Sequence, residues 1–203
     1  MKSLLLVRHG ETEWNSDRKI QGSVDIPLSE AGRAQAAAVA HDLAERGFRA
    51  DRIITSDLQR AAETGHILSE RLGVAAVASS PLLRELHCGE WEGRYIEDLR
   101  QNEREFYEAW LDDPARVLPG GESVLQLRER VVRFFETHRT ELDAAESVLI
   151  VAHGLINRMF LSVLLQVDPQ RARYFSQDNT AVNLFSWRGP RIYCDFWNLT
   201  CHL

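Results

Sequence analysis

Leu4-Leu5-Leu6-Val7-Arg8-His9-Gly10, near the start of the chain, and Val148-Leu149-Ile150-Val151-Ala152-His153-Gly154, toward its end, share one form. Each is a short unbroken run of apolar residues that stops close to a histidine followed by glycine. A run of this length without polar alternation predicts a strand buried on both faces, as in the interior of a parallel sheet. Arg52-Ile53-Ile54-Thr55 predicts another strand, ending at Ser56, and residues 74–78 a further one. Residues 182–187 and 191–196 flank Arg188-Gly189-Pro190 and predict a hairpin or two late edge strands.

Helical patterns fill the intervals. Ser29 is placed to cap an Ala-rich helix that runs to Arg46, with Glu30 in its first turn and Gly47 at its end. Ser56-Asp57-Leu58-Gln59 has capping-box spacing, and Leu58, Ala61, Gly65, Leu68 and Leu72 then recur at helical intervals. Ser123-Val124-Leu125-Gln126 has the same spacing, with Val124, Leu127, Val131, Phe134 and His138 on one face. Residues 155–165 are almost wholly apolar, which predicts a buried helix behind the preceding strand. Alternating strands and helices imply an α/β layer fold with a largely parallel sheet. Residues 86–121 break the rhythm. They are helical and charged, with Asp112-Asp113-Pro114 and Pro119-Gly120-Gly121 as punctuation, and are expected to form a cap over the sheet within one domain spanning residues 1–203.

Composition narrows the classes. Of the 203 residues 44% are apolar and 27% charged, which fits an ordinary folded globule rather than a disordered chain. No apolar run approaches the roughly 20 residues that span a bilayer, and the opening Met1-Lys2-Ser3-Leu4 lacks the pattern of a signal peptide. Cys88, Cys194 and Cys201 form no CxxC pair, so a reducing cytoplasm is expected rather than a disulfide framework. A net charge of −6 argues against broad nucleic-acid binding, which runs on phosphate neutralisation. A small basic pocket for an anion remains compatible with it.

In open α/β sheets ligands bind beyond the carboxyl ends of the strands. That rule places Arg8, His9, Arg60, Glu85 and His153 on one rim. Two arginine forks and two histidines suit a phosphoryl group, and helix N-termini near Gly10, Asp57 and Gly154 are expected to add backbone N–H donors. A neutral His9 is the candidate nucleophile, kept unprotonated by the flanking guanidinium charges. Glu85 is the candidate acid. A carboxyl beside a dianionic phosphate keeps its proton more readily, and once it has given that proton up it can activate water. A zinc site built from His9, His153, Glu85 and His87 is the competing reading. Arg8 and Arg60 would repel a cation there, and HExxH spacing is absent. Trp14 and Trp91 are either pocket walls or packing aromatics. Cys88 reads best as a small buried filler. Trp197, Leu199 and Leu203 imply a C-terminal tail that docks on its own subunit or on a second copy in a homodimer.

The segments 6–15, 55–64 and 83–93, together with Gln21-Gly22, Pro119-Gly120-Gly121-Glu122-Ser123, Arg130 and Val151-Ala152-His153-Gly154, resemble the histidine phosphatase superfamily, the group that includes cofactor-dependent phosphoglycerate mutase. The resemblance spans nearly the whole chain, in order. It implies a three-layer α/β sandwich with a variable cap, no metal and no cofactor. It also implies His9 as the phosphorylated residue, Arg8, Arg60 and His153 on the phosphoryl oxygens, and Glu85 as proton donor. Asn15 matches a phosphate-holding position, Gln21 and Gly22 match pocket-lining positions, and Gly154 matches a backbone contact. Cys88 stands where the mutases carry a tyrosine, and no adjacent arginine pair lies between Arg94 and Arg116. The block 83–93 is similar to α-ribazole phosphatases and broad-specificity phosphatases. The implied function is therefore hydrolysis of a small phosphorylated metabolite, without nucleic-acid or membrane partners. Mutase-type transfer and an idle phospholigand-binding protein are the alternatives.

Overall fold

The computed structural model describes residues 1–75 and 77–202. In chain order the elements are β1 (Ser3–Arg8), α1 (Glu13–Ser16), α2 (Glu30–Glu45), β2 (Arg52–Thr55), α3 (Gln59–Leu72) and β3 (Val77–Ser79). Two short 3-10 turns, Pro81–Leu83 and Gly89–Trp91, lead to α4 (Ile96–Asn102) and α5 (Arg104–Asp112). The chain continues through α6 (Val124–Thr137), α7 (Arg139–Ala144), β4 (Ser147–Ala152), α8 (Gly154–Leu165), α9 (Pro169–Ala172), β5 (Val182–Arg188) and β6 (Arg191–Leu199).

The strands form one sheet in the order β3-β2-β4-β1-β5-β6. The first four are parallel, and the β5–β6 hairpin adds two antiparallel strands beside β1. Of the two late strands only β6 is an edge, since β5 pairs on both sides. Side chains alternate across the central strands. Leu4 and Leu6 of β1 and Val148 and Ile150 of β4 meet Val131 and Phe134 of α6 and Met159 and Phe160 of α8. Leu5, Val7, Leu149 and Val151 meet Val39 and Leu43 of α2 and Ala61 and Leu68 of α3. Strands buried on both faces therefore lie between two helical layers, a three-layer α/β sandwich. Each of these large aliphatic side chains contributes about 1.5–3 kcal/mol on burial.

Two local expectations are corrected. The strand expected over 74–78 begins only at Val77, because Gly73 adopts a left-handed conformation at the end of α3 and the Val74 N–H returns to the Ser69 carbonyl. Ala76, within that expectation, lies outside the described residues. Ser56 does not cap α3. Its hydroxyl accepts the Leu58 N–H at 3.3 Å, and Asp57 is drawn to Arg84 at 2.6 Å. The distant Asp25 carboxylate takes the Gln59 N–H instead, at 2.7 Å. The capping box of Ser123 and Gln126 forms as expected, and Ser29 caps α2.

Trp91 is buried and packs edge-on against Phe106 and Trp110, so the residues of α5 are held to the turn that follows Glu85. At the other end of the chain Trp197 packs on Phe175 and Phe185 and donates to the Ser176 carbonyl. The described part of the tail thus docks on its own chain, while Leu203 lies outside the described residues. Among the described residues no helix is long and apolar enough to cross a membrane.

Candidate active site

The register of β1 on β4 sets the site. Arg8 pairs with Ala152, so His9 and His153 follow at the same level on neighbouring strands. Their ring centroids are 5.1 Å apart, close to the spacing of about 4.8 Å between adjacent strands. Both rings are buried.

Hydrogen bonds fix each tautomer. Nδ1 of His9 lies 2.6 Å from the Gly10 carbonyl oxygen, a contact that only a protonated Nδ1 can make. Nε2 of His9 therefore keeps its lone pair. Nδ1 of His153 accepts from Nε–H of Arg60 at 3.2 Å, which puts the proton of His153 on Nε2. That nitrogen has no partner among the described residues. Burial holds His9 well below the ordinary value of 6.5, helped by the charges of Arg60 and Arg8. Burial does the same for His153, again with Arg60 nearby. The pair thus consists of one free nitrogen lone pair and one free N–H.

Arg60, in the first turn of α3, also donates to the Val24 and Gly22 carbonyls at 2.7 and 2.8 Å. It thereby ties the 22–24 loop to the site. Gly22 sits at φ +53, and a side chain there would run into Glu92. Arg8 donates to the Gln177 carbonyl at 2.6 Å, and its Nε is buried without a partner among the described residues. Burial lowers both arginines to about 10, so both remain charged near neutrality.

Glu85 is gripped by backbone. Its carboxylate accepts from Leu155 and Ile156, in the first turn of α8, at 2.9 and 3.2 Å, and from Leu86 at 2.9 Å. Of the N–H groups expected to face a phosphoryl group at the helix start near Gly154, those of Leu155 and Ile156 are therefore given to Glu85. The expected donor near Gly10 is also engaged, because the Gly10 N–H goes to the Thr64 hydroxyl at 3.1 Å. At α3 the Gln59 N–H goes to Asp25, as described above. The side chains of Arg8, Arg60 and His153 and the N–H of Gly154 keep donors not taken up by these contacts.

Arg8, His9, Asn15, Gln21, Gly22, Arg60 and Glu85 line one cavity of about 240 Å³, walled also by Trp91, Tyr107 and Trp110. Trp91 is thus both a packing aromatic and a wall. Cys88 is buried and touches the same cavity, and burial pushes its thiol well up, which leaves it a neutral filler. His153 is fully buried beside His9, while Gly154 lines an adjoining hollow. Asn15 completes a capping box with Thr12, and its Oδ1 also accepts from Asn179. Among the described residues no three His, Cys, Asp or Glu side chains come together as metal ligands.

The sequence reading assigned no role to Arg130, which grips the segment leading into Glu85. It donates to the Leu82, Arg84 and Glu85 carbonyls and pairs with Glu122 at 2.9 Å. On α6 it occupies an ordinary helical position, and only the tertiary fold shows its partners.

The profile of the histidine phosphatase superfamily (branch 1) matches residues 4–200. A probable phosphoglycerate mutase GpmB from Serratia proteamaculans is 39% identical over 184 residues, covering 90% of this chain and 84% of that protein. A mycobacterial glucosyl-3-phosphoglycerate phosphatase, solved with VO3, superposes with a TM-score of 0.88 at 28% identity, over 98% of this chain and 99% of that one. The α-ribazole phosphatase from Shigella flexneri gives a TM-score of 0.84 at 27% identity, over 98% and 96% of the two chains. With its profile matched almost end to end and its site built from the quoted motifs, the chain belongs to the histidine phosphatase superfamily.

Proposed function

We propose that the protein is a metal-independent phosphatase that hydrolyses small phosphomonoesters through a phosphohistidine at His9. One observation carries this reading: the Nδ1–H of His9 is spent on a carbonyl, which leaves Nε2 as a lone pair in a cavity flanked by two guanidinium groups. In the first step Nε2 bonds to phosphorus and the ester P–O bond breaks, with Glu85 giving the leaving oxygen a proton. Arg8, Arg60 and the Nε2–H of His153 stabilise the equatorial oxygens, which carry the charge of a phosphoryl group in transfer. Asn15 and Gly154 assist at the same oxygens, and Gln21 and Gly22 bound the leaving group. In the second step Glu85 takes a proton from water, the water oxygen bonds to phosphorus and the P–N bond breaks. Residues 86–121 act as the cap that shapes the leaving-group side.

Hydrolysis is favoured over mutase-type transfer. Cys88, small and uncharged, stands in the cavity at the position where the mutases carry a tyrosine. The glucosyl-3-phosphoglycerate and α-ribazole phosphatases support the hydrolytic branch, and the mutase-named relative marks the alternative. Brief reaction with a labelled phosphomonoester should leave acid-labile, alkali-stable phosphate on His9, and His9→Ala should abolish both label and turnover. Label on a serine or aspartate, or loss of activity with EDTA, rejects the mechanism. A coupled assay with monophosphoglycerate and bisphosphoglycerate should show hydrolysis exceeding transfer.

A further inference from the structure

A second hollow, of about 380 Å³, adjoins the one that holds His9. The two share Arg8, Glu85, Trp110 and Leu155 as walls. Only the second is lined by Arg158, from α8, and Arg173, just after α9. The two arginines are held in place but not used up. Nε of Arg158 donates to the Phe175 carbonyl at 2.6 Å, and its two terminal nitrogens donate to nothing among the described residues. One terminal nitrogen of Arg173 donates to the Trp110 and Leu111 carbonyls at 2.8 and 3.1 Å, and the guanidinium lies 3.9 Å over the Trp110 ring. Its other two nitrogens are likewise free of hydrogen bonds among the described residues.

Neither arginine makes an ion pair within 4.0 Å among the described residues. Glu85 and Asp178 are the carboxylates near Arg158, and Asp112 is the one near Arg173. Glu85 is already taken by three backbone N–H groups, and Asp178 accepts from the side chain of Asn198. Burial weakens the hold of Arg173 on its proton, to about 10, and acts on Arg158 in the same direction. A chain with a net charge of −6 has thus gathered three guanidinium groups, those of Arg8, Arg158 and Arg173, around one hollow without pairing them. Tying down the cap needs only one nitrogen of Arg173 and explains neither its free fork nor Arg158. A planar fork with free N–H groups is suited to a carboxylate or a phosphate.

We propose that this hollow seats a second anionic group of the substrate, a carboxylate or a phosphate, held by Arg158 and Arg173 while the scissile phosphoryl group sits at His9. The inference rests on the phosphatase reading and names its substrate class: phosphomonoesters with a second negative charge in the leaving group.

The test compares kcat/KM for 3-phosphoglycerate and for 1,3-propanediol bisphosphate with that for glycerol 3-phosphate, which lacks the second anion. Wild type should favour at least one of the charged substrates by about tenfold or more, and which one identifies the group. The preference should fall by about tenfold in Arg158→Gln and in Arg173→Gln, and be partly restored by lysine at each position. Tyr174→Glu supplies a variant free of folding risk, because Tyr174 lines the same hollow and is 77% exposed. Its added carboxylate should lower the preference about threefold at low salt. A wild-type ratio near one, or a preference unchanged in Tyr174→Glu and in every folded arginine variant, overturns the inference. Turnover of p-nitrophenyl phosphate separates the two levels. If wild type hydrolyses it through His9 but shows no preference for a second anion, only this inference fails. If wild type does not hydrolyse it, the phosphatase reading fails.

Discussion

His9 and His153 owe their neutrality first to burial and then to Arg60, and both effects favour the uncharged ring. Two consequences follow. The pH profile of kcat/KM for an aryl phosphate should show no acid limb with a midpoint near 6.5, the ordinary histidine value, because Nε2 of His9 stays free well below it. Stability responds in the other sense. Below pH 6.5 the unfolded chain binds protons at these two positions while the folded chain does not. Stability should therefore decline as pH falls from 6.5 toward the lowered folded values, and denaturant melts at successive pH values read this directly. At Glu85 the leaving group is the lever. Glu85→Gln should slow alkyl phosphates by about 10²–10⁴-fold and aryl phosphates far less, because only a poor leaving group needs the proton. Equal losses would remove Glu85 from the acid role. The positions of His9 and His153 were legible in sequence because each follows a strand end, where an apolar run stops and a polar one starts. Arg130, Arg158 and Arg173 were not. They sit on or beside helices, Arg130 and Arg173 near other charged residues and Arg158 alone in an apolar run, and the carbonyls they bind are distant in sequence.

Helix starts show the same divide between local and distant causes. The box at Ser123 is built from neighbours and was predicted, and Ser123→Ala should cost about 1 kcal/mol of stability. The start of α3 is not local. Asp25 lies 34 residues before Gln59 and supplies the cap through both its oxygens, one to the backbone and one to the side chain. Asp25→Ala should destabilise by a similar amount, about 1 kcal/mol, and should also loosen the first turn that carries Arg60. Thermal melts read the first effect, and a raised KM for phosphomonoesters reads the second. Ser56→Ala should leave the start of α3 intact, since Ser56 does not cap it. The apolar runs of β1, β2 and β4 located those strands because burial on both faces leaves no room for polar residues. The shorter β3, with only its first residue half-buried and the rest exposed, carries no such signature, and the expectation there was displaced.

The sheet as a whole carries the two rings. Their separation is close to a strand-to-strand distance, and each ring is held locally, by the Gly10 carbonyl and by Arg60, away from the far end of the strands. Leu4→Ala, at the far end of β1 in the core, should cost about 2–5 kcal/mol of stability. Turnover per folded molecule, measured with active-site titration of phosphohistidine, should stay at the wild-type level. Damage to the interior thus lowers the number of working molecules and spares the quality of each one. An enzyme arranged in this way fails by dilution, so a weakened version of it could be rescued by cooling or by higher expression, without any repair to the site itself.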